Sequence, residues 1–322
     1  MVGTKTAITV LVVGGGSIAR RHIGNLAAAN DVSDIQVFTR NRTCLEAVDH
    51  RGKARYIDSL DDAKADLALI ANETNKHIET AISLAGSGFH IMIEKPVSHS
   101  LARLDVLKTT AARTNIKIFI AYNLRFLGVM TLLKKHLVDG TIGSLCFAHI
   151  EVGQYLPTWR PGTDYRKSYS ADKSRGGGVA LDLSHEIDYM RYLFGDPESS
   201  TVIKVKAGDL EIDSDDLFEG LYRFNDNFVC TVHLDYLQRA KTRTIKIVGT
   251  RGELVCDLMN KTLRVVTDKD DTTITDAHLF DVPKTYQDEL RHVISAIRND
   301  QPVSITLDDG IAALRLIEDT HV

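Results

Sequence analysis

The chain has 322 residues, of which 43% are apolar and 25% are charged, and its formal net charge is −4 at pH 7. This length suits two domains, and the composition is that of an ordinary globular protein rather than a disordered or fibrous one. The weak negative charge provides no basic field for nucleic acid or an anionic membrane. We therefore expect neither of these partners, and we expect a cytoplasmic location.

The cysteines are few and dispersed, with no CxxC pair: Cys44, Cys146, Cys230 and Cys256. This spacing argues against a zinc site and against a disulfide framework, so no metal is expected and the thiols are predicted to be free. The longest apolar runs are shorter than the roughly 20 residues that a membrane-spanning helix needs.

The first third of the chain alternates strand and helix patterns. Continuous apolar runs predict buried strands, and the segments between them have helical spacing at 18–30 and 75–88. Repeated units of this kind predict a Rossmann domain, an α/β fold with a doubly wound parallel sheet, over residues 1–122. The predicted strands are 7–13, 35–39, 67–71, 89–93 and 116–122.

The pattern changes from residue 123 onward. A helix is predicted near 127–138 and another over 179–194, and short turns then separate several strands. Strands joined by short turns predict an α+β domain with an open, mostly antiparallel sheet over residues 123–322. An exposed face of this sheet would need a partner, so we expect a homo-oligomer, a dimer or a tetramer. The predicted strands are 201–207, 217–224, 228–237, 244–249 and 253–258, the turns include Asn225–Asp226–Asn227 and Thr250–Arg251–Gly252, and the closing helices are 285–298 and 308–320.

A glycine-rich turn follows the first predicted strand. VLVVGGGSIA places Gly14, Gly16 and Ala19 on the GxGxxG/A pattern, with Ser17 and Ile18 in the same turn. The glycines permit close approach of a pyrophosphate to the N-terminus of the next helix. The strand–turn–helix context favours a dinucleotide site over a merely tight turn.

The second predicted strand ends without a carboxylate. NAD-binding proteins usually place an acidic residue there to bind the ribose 2′-hydroxyl. Here the strand ends at Thr39, and Arg40 and Arg42 follow. The two arginines can pair with a 2′-phosphate, which favours NADP, with NAD possible; the alternative is that both are solvated surface residues.

Three segments together resemble one family. VVGGGSIA, IMIEKP about 80 residues later, and GGGVALDLSHEID at 176–188 resemble the Gfo/Idh/MocA oxidoreductases, the relatives of glucose–fructose oxidoreductase and inositol dehydrogenase. The similarity covers nearly the whole chain. It implies a Rossmann domain followed by an open, mostly antiparallel sheet, and hydride transfer between nicotinamide and a carbinol carbon of a sugar or similar molecule.

The resemblance also implies catalytic residues. The family's EKP lysine corresponds to Lys95, and its aspartate and histidine correspond to Asp182 and His185. Residue chemistry agrees, because oxidation of an alcohol needs a base and His185 has a suitable intrinsic pKa. Lys95, at a strand's carboxyl end near the cofactor, can hydrogen-bond the reacting oxygen. Glu94 precedes it at the cofactor edge, and alternation along the strand predicts that its side chain is structural.

The sequence departs from the family pattern in two places. The family usually places its aspartate four residues before its histidine, whereas Asp182 is three residues before His185. This spacing still predicts a shared helix face, from which the carboxylate would orient the imidazole. The fourth strand runs into Asn72–Glu73–Thr74 where the family usually has a Thr-Pro turn. Asn72 is expected beside the nicotinamide ribose, and His77 matches a family histidine.

A long polar and aromatic loop spans residues 154–178. Such loops are usually functional, aromatic rings can stack on sugars, and arginines can pair with phosphate or carboxylate. An anionic or nucleotide-linked sugar would suit the loop, and a subunit-contact loop is the alternative. The substrate candidates are Trp159, Tyr165 and Arg166 in the loop, with Asn123 in AYNLRF and His185.

The leading hypothesis is an NADP- or NAD-dependent oxidoreductase of a sugar or sugar derivative. A second is an enzyme whose nicotinamide stays bound and is recycled, for sugar–sugar oxidoreduction or glycoside hydrolysis. A third is a non-catalytic NADP-binding regulator, against which the intact Lys95 and His185 argue.

Overall fold

The chain divides into two compact units, each formed by two segments of sequence. Unit 1 comprises Met1–Asn123 and Pro283–Ile311, and unit 2 comprises Leu124–Val282 and Ala312–Val322. The sequence pattern placed a boundary near residue 122 and did not indicate that a later segment returns to the first unit. The computed structural model describes residues 7–46, 48, 51–224 and 227–318.

Helices and strands alternate in the first part of the chain, and strands dominate the second part. The described helices are α1 (Ser17–Ala28), α2 (His77–Gly86), α3 (Leu104–Thr114), α4 (Gly128–Val138), α5 (Val179–Asp182), α6 (His185–Phe194), α7 (Val282–Arg298) and α8 (Leu307–Glu318). The described strands are β1 (Ile8–Val13), β2 (Val32–Phe38), β3 (Ala54–Tyr56), β4 (Leu67–Ile70), β5 (His90–Glu94), β6 (Ile118–Ala121), β7 (Leu145–Gly153), β8 (Ser199–Val205), β9 (Leu217–Phe224), β10 (Phe228–Asp235), β11 (Thr242–Gly249), β12 (Gly252–Asp257), β13 (Thr262–Thr267) and β14 (Asp271–Ile274).

Unit 1 is built on a parallel sheet of six strands in the order β3-β2-β1-β4-β5-β6. Val10 of β1 pairs with Ile35 of β2 on one side and with Leu67 of β4 on the other. The strand order therefore reverses beside β1, and in such sheets ligands bind at this switch point, outside the carboxyl ends of the strands. The apolar run of β1 is almost completely buried, as expected for a strand covered on both faces.

Unit 2 is built on a sheet of eight strands in the order β14-β13-β12-β11-β7-β10-β9-β8. All neighbouring pairs are antiparallel except β7 and β10, which are parallel. The predicted fold class, a Rossmann domain plus an open and mostly antiparallel α+β domain, is confirmed. The sequence pattern did not predict β3, β13 and β14, which are short or largely exposed, nor the central strand β7.

One face of the unit 2 sheet carries exposed apolar side chains. Burial alternates along β9, where Phe218 and Tyr222 are fully buried and Leu221 is 48% exposed. Phe147 on β7 and Ile203 on β8 are similarly exposed, at 43% and 54%. Assembly of a homo-oligomer through this face stays a prediction.

The predicted helix over 179–194 is wrong in one respect, because the structure contains two helices in its place. Helix α5 ends at Asp182 and α6 begins at His185. The backbone N–H groups of Ser184 and Glu186 donate to carbonyls three residues earlier, so the regular four-residue ladder is interrupted at this point. Asp182 and His185 therefore do not share one continuous helix face.

The predicted hairpin turns have different outcomes. Thr250–Arg251–Gly252 connects the antiparallel strands β11 and β12, as expected. The first two residues of the predicted turn Asn225–Asp226–Asn227 lie outside the described residues. Within the described ranges, none of the helices combines the length and apolarity that a membrane crossing requires.

Candidate active site

The glycine turn joins the end of β1 to the start of α1. Gly14 has φ of +130°, and a Cβ at this position would lie 2.3 Å from the carbonyl oxygen of Ala71. Only glycine permits this approach of the β1 turn to the end of β4. Gly16 is the N-cap residue of α1, so no side chain caps the N-terminus of this helix. A Cβ at Gly16 would meet no atom within 4 Å. The open space and the unsatisfied N–H groups fit a pyrophosphate.

The other residues of this motif lie around the same turn. Ser17 begins α1 and is exposed, Ile18 is half-buried, and Ala19 is fully buried against the sheet. Small size at Ala19 permits the close helix–strand packing that the third position of the motif requires.

The end of β2 presents two arginines in different states. Asn41 is fixed beside the glycine turn, because its backbone N–H donates to Thr39 Oγ1 at 3.1 Å and its amide donates to the Gly15 carbonyl at 3.3 Å. Arg42 donates to Asp58 at 2.5 Å and lies over the Tyr56 ring at 5.1 Å. Arg40 is exposed and has no ion-pair partner within the described ranges. Arg40 is therefore the more available cation.

Asn72 follows β4 at the switch point. Its amide nitrogen donates to Thr80 Oγ1 at 3.1 Å. Its Oδ1 atom is buried and has no hydrogen-bond partner among the residues that the structure describes. Asn72 Oδ1 can therefore accept a hydrogen bond from a ligand at this edge of the sheet, for example from a ribose hydroxyl.

His77 connects the ends of β4 and β5. Its Nδ1 lies 3.0 Å from the Pro96 carbonyl oxygen, and its Nε2 lies 3.3 Å from the Asn72 carbonyl oxygen. Burial lowers the pKa of His77. A neutral imidazole can donate to one of these two carbonyls, and that hydrogen bond connects the helix α2 to the loop that supplies the carbonyl.

Glu94 and Lys95 end β5 at the same edge of the sheet. The Glu94 carboxylate is buried, lies 2.5 Å from His22 Nε2, and accepts the Lys95 backbone N–H at 3.2 Å. Its anchoring to the protein agrees with a structural reading of Glu94. Lys95 is half-buried and is joined to Pro96 by a cis peptide bond.

Asn123 is placed differently from a typical ligand-binding side chain. It is 2% exposed, and its amide donates to Thr285 Oγ1 at 2.6 Å. Thr285 lies on α7, in the segment that returns to unit 1. The structure thus gives the Asn123 amide a role in holding α7.

In unit 2, Asp182 is buried among tyrosines. The Tyr236 hydroxyl donates to Asp182 Oδ2 at 2.5 Å, and Tyr169 also hydrogen-bonds this carboxylate. Burial first, and then the charge of Asp182, raise the pKa values of both tyrosines above their ordinary value. Both hydroxyls therefore remain protonated donors, and the carboxylate is the acceptor.

His185 begins α6 and is 9% exposed. The acidic residues that follow it are held by arginines, since Asp188 accepts a forked pair of hydrogen bonds from Arg125, the shortest at 2.7 Å. Glu186 is fully buried and accepts from Arg243 Nε at 2.8 Å. These two pairs fix the helix that carries the imidazole.

The loop 154–178 is folded rather than irregular. It contains four short 3₁₀ helices. The Trp159 ring packs edge-on against Tyr236 at 5.1 Å, and its Nε1 donates to the Gln154 carbonyl. Tyr165 accepts the Glu211 backbone N–H at 3.3 Å.

Arg166 is not a free cation in this loop. It is exposed and donates to both Asp164 and Glu211 at 2.8 Å. Its charge is therefore already opposed by two carboxylates, and an anionic ligand would have to displace one of them.

Several functional contacts had no local signal in the sequence. Tyr236 lies 54 residues from Asp182, and His22 lies 72 residues from Glu94. The available sequence signal for His22 is its position in the helix that follows the glycine turn, near the cofactor edge. Within the described residues, no group of three or more His, Cys, Asp or Glu side chains is arranged to hold a metal ion.

A parallel sheet with a glycine turn at its switch point, followed by an antiparallel α+β unit, defines the class of two-domain nicotinamide nucleotide-binding oxidoreductases. The profile described as "Oxidoreductase family, NAD-binding Rossmann fold" matches residues 8–122. The profile described as "Oxidoreductase family, C-terminal alpha/beta domain" matches residues 134–320. The chain belongs to the Gfo/Idh/MocA oxidoreductase family, as the sequence motifs predicted.

Characterised relatives extend over nearly the whole chain. The chain is 26% identical to the myo-inositol 2-dehydrogenase of Thermotoga maritima, across 95% of this chain and 92% of that protein. It is 23% identical to the 1,5-anhydro-D-fructose reductase of Ensifer adhaerens, across 94% and 92%. The fold is similar to that of the WlbA dehydrogenase of Bordetella pertussis in complex with NADH and UDP-GlcNAcA, with a TM-score of 0.84, 20% identity, and coverage of 98% and 94%.

Proposed function

We propose that the protein transfers a hydride between a nicotinamide nucleotide and the carbinol carbon of a sugar or sugar derivative. The observation that carries this proposal is the edge of the unit 1 sheet, where the glycine turn, Asn72 and Lys95 follow β1, β4 and β5. The turn fits a pyrophosphate, the unmet Asn72 oxygen fits a ribose hydroxyl, and Lys95 supplies a cation.

The chain's own residues would divide the proton chemistry. The bound nicotinamide supplies the hydride acceptor or donor. Lys95 hydrogen-bonds the reacting oxygen and stabilises the negative charge that develops on it. His185 takes the hydroxyl proton during oxidation and returns it during reduction. Asp182, which accepts a hydrogen bond from the Tyr236 hydroxyl, is proposed to orient the imidazole.

The substrate class is proposed from the relatives and from the loop 154–178. The relatives named above act on, or are bound to, inositol, a sugar derivative and a nucleotide-linked sugar acid. Trp159 and Tyr165 offer aromatic surface, and Arg166 offers a cation that is shared with Asp164. An anionic or nucleotide-linked sugar would exchange places with that carboxylate.

The proposal is tested by incubating the purified protein with NAD⁺ or NADP⁺ and a set of sugars. The set includes myo-inositol, free hexoses, hexose phosphates and UDP-linked hexosamines and their uronic acids. We expect formation of reduced nicotinamide, followed by absorbance, with at least one carbinol of this set. A protein that binds nicotinamide but reduces it with none of them, and whose bound nucleotide exchanges freely, would contradict a sugar dehydrogenase.

Two other functions give different results in the same experiment. An enzyme that recycles its nicotinamide would retain the nucleotide through dialysis and convert sugar without net reduction. A non-catalytic regulator would bind nucleotide and convert nothing, and replacing Lys95 would leave its role intact.

We infer that NADP is preferred over NAD, and that Arg40 contributes more to this preference than Arg42. Arg40 is exposed without an ion-pair partner among the described residues, whereas Arg42 is held by Asp58. A charge-assisted hydrogen bond contributes about 1.5–3 kcal/mol, so Arg40→Ala is expected to weaken NADPH binding roughly tenfold or more and to leave NADH binding unchanged. Fluorescence titration with both nucleotides measures this.

The matched control is Arg55→Ala on β3, which removes an exposed arginine paired with Asp34. It should change neither affinity. Wild-type protein that binds NADH at least as tightly as NADPH would contradict the inferred preference. If Arg40→Ala weakened the binding of NADPH and NADH equally, Arg40 would contact a part of the cofactor other than the 2′-phosphate.

A further inference from the structure

A cluster of buried ionisable side chains adjoins Lys95 in unit 1. His22 on α1, Glu94 at the end of β5 and Glu289 on α7 are 0%, 7% and 0% exposed. None of these side chains has a part in the proton chemistry proposed above. Burying an ionisable group costs free energy unless the group is paired or neutral. Such groups are found preferentially at functional sites, so we ask what this cluster does.

The His22–Glu94 pair connects α1 to the backbone of Lys95. One Glu94 oxygen lies 2.5 Å from His22 Nε2, and the other accepts the Lys95 N–H at 3.2 Å. His22 Nδ1 is buried and has no hydrogen-bond partner among the described residues. Nε2 is therefore the ring nitrogen through which His22 donates to the Glu94 carboxylate.

Tyr286, whose ring is 6.0 Å from the His22 ring, lies on α7 one helical turn before Glu289. Both carboxyl oxygens of Glu289 are buried and lack a hydrogen-bond partner in the described part of the chain. Burial, and then the charge of Glu94, raise the pKa of Glu289 well above its ordinary value. A second carboxylate at this place would face Glu94 in a dry environment without a compensating cation, so the fold accommodates the neutral acid.

In the part of the chain that the structure describes, the other ionisable groups around the cluster make no hydrogen bond with the Glu289 carboxyl. Arg21 is stacked over Tyr286 at 4.6 Å. His77 is buried, and burial lowers its pKa although the charge of Glu94 acts in the opposite direction. The cluster is thus organised around the single negative charge of Glu94.

We propose that Glu289 is a positioning residue: as a neutral carboxylic acid it leaves Glu94 as the only negative charge of the cluster, and Glu94 thereby holds His22 and the Lys95 backbone in place. Loss of the Glu289 proton would set two carboxylates against each other and would displace Glu94 from one of its partners. The surroundings of Lys95 would change at the same time. The proposal rests on the proposed function only for what Lys95 does in the reaction.

The first test measures, from the pH dependence of unfolding, whether Glu289 is protonated in the folded protein. An unfolded glutamate has a pKa of about 4.3, so above about pH 5 the unfolded chain gives up a proton that the folded protein keeps. Folding stability then falls as the pH rises, and the unfolding equilibrium constant of the wild type increases about tenfold per pH unit relative to Glu289→Gln. Above the folded-state pKa of Glu289 the ratio of the two unfolding constants no longer changes with pH. Chemical denaturation of both proteins between pH 5 and 8 measures this ratio.

The matched control is Glu46→Gln, which replaces an exposed glutamate of the same unit. Its unfolding constant should follow the wild type at every pH. A wild type whose unfolding constant keeps a constant ratio to that of Glu289→Gln would overturn the proposal, because Glu289 would then be ionised in the folded protein.

The second test reads the surroundings of Lys95. Reductive ¹³C-methylation labels the lysines, and the Lys95 resonance is assigned by its loss in Lys95→Arg. In the wild type this resonance should show an additional inflection with pH where Glu289 ionises, and in Glu289→Gln that inflection should be absent. Identical titration curves in the two proteins would refute the positioning role even where the first test succeeds. Neither measurement requires a sugar substrate or catalytic turnover, so both results can be interpreted even if the proposed activity is not found.

Discussion

Replacing Lys95 by alanine is expected to lower kcat by about 10²- to 10³-fold while nucleotide affinity changes little. Lys95 follows β5 at the edge where the glycine turn ends β1, and its proposed role is to stabilise negative charge on the reacting oxygen. Removal of one such donor from a preorganised site usually has an effect of this size. The pyrophosphate contacts involve backbone groups of the glycine turn, which the substitution leaves unchanged. Steady-state kinetics and fluorescence titration measure the two quantities.

Lys64→Ala is the matched control, because Lys64 is an exposed lysine of the same unit. It should retain both turnover and nucleotide affinity. If Lys95→Ala turned over at the wild-type rate with bound nucleotide, Lys95 would have no catalytic role. A parallel loss of nucleotide affinity and turnover would instead assign Lys95 to cofactor binding.

The nucleotide edge was predictable because its signals are local. A buried apolar strand, a GxGxxA turn and a following helix occupy consecutive residues, and the backbone alone brings Gly14 beside Ala71. The same holds for Lys95, whose position follows from ending a strand of a parallel sheet. Chain direction and strand order fix such residues before any side chain packs.

The side-chain partners were not predictable, because they depend on packing between distant segments. Arg166 was expected to be free for a substrate, yet Glu211, 45 residues away, neutralises part of its charge. Asp182 and His185 were expected on one helix, yet the ladder of hydrogen bonds is interrupted between them. A spacing of three residues is compatible with either geometry, so the sequence alone did not decide.

The return of the chain to unit 1 had no sequence signal either. Helix α7 has an ordinary amphipathic pattern, with Leu290, Val293 and Ile294 buried, and such a pattern does not reveal which core the helix joins. Only the fold places Thr285 against Asn123 and Glu289 among the buried groups of unit 1.

Replacing Arg243 by methionine is expected to destabilise unit 2 by about 3–5 kcal/mol. Arg243 on β11 donates to Glu186 at 2.8 Å, and Glu186 is fully buried at the start of α6. Methionine fills much of the same volume, but among the described residues it leaves the buried carboxylate with the Tyr189 hydroxyl, at 3.3 Å, as its remaining side-chain donor. The loss is that of an uncompensated buried charge. Urea unfolding followed by the fluorescence of Trp159, the single tryptophan, reports on this unit.

The double variant Arg243→Met with Glu186→Leu separates the two contributions of the pair. Removing both charges removes the uncompensated carboxylate, so the double variant should recover most of the lost stability, as buried pairs replaced by apolar groups often do. Arg264→Met breaks an exposed pair with Asp271 on β13 and β14 and should have a much smaller effect, because water solvates the remaining carboxylate. If Arg243→Met were as mild as Arg264→Met, the Arg243–Glu186 pair would contribute little to unit 2, and α6 would be held by packing and by the Arg125–Asp188 pair. Because His185 begins that helix, a strongly destabilising Arg243→Met would also tie the position of the imidazole to this ion pair.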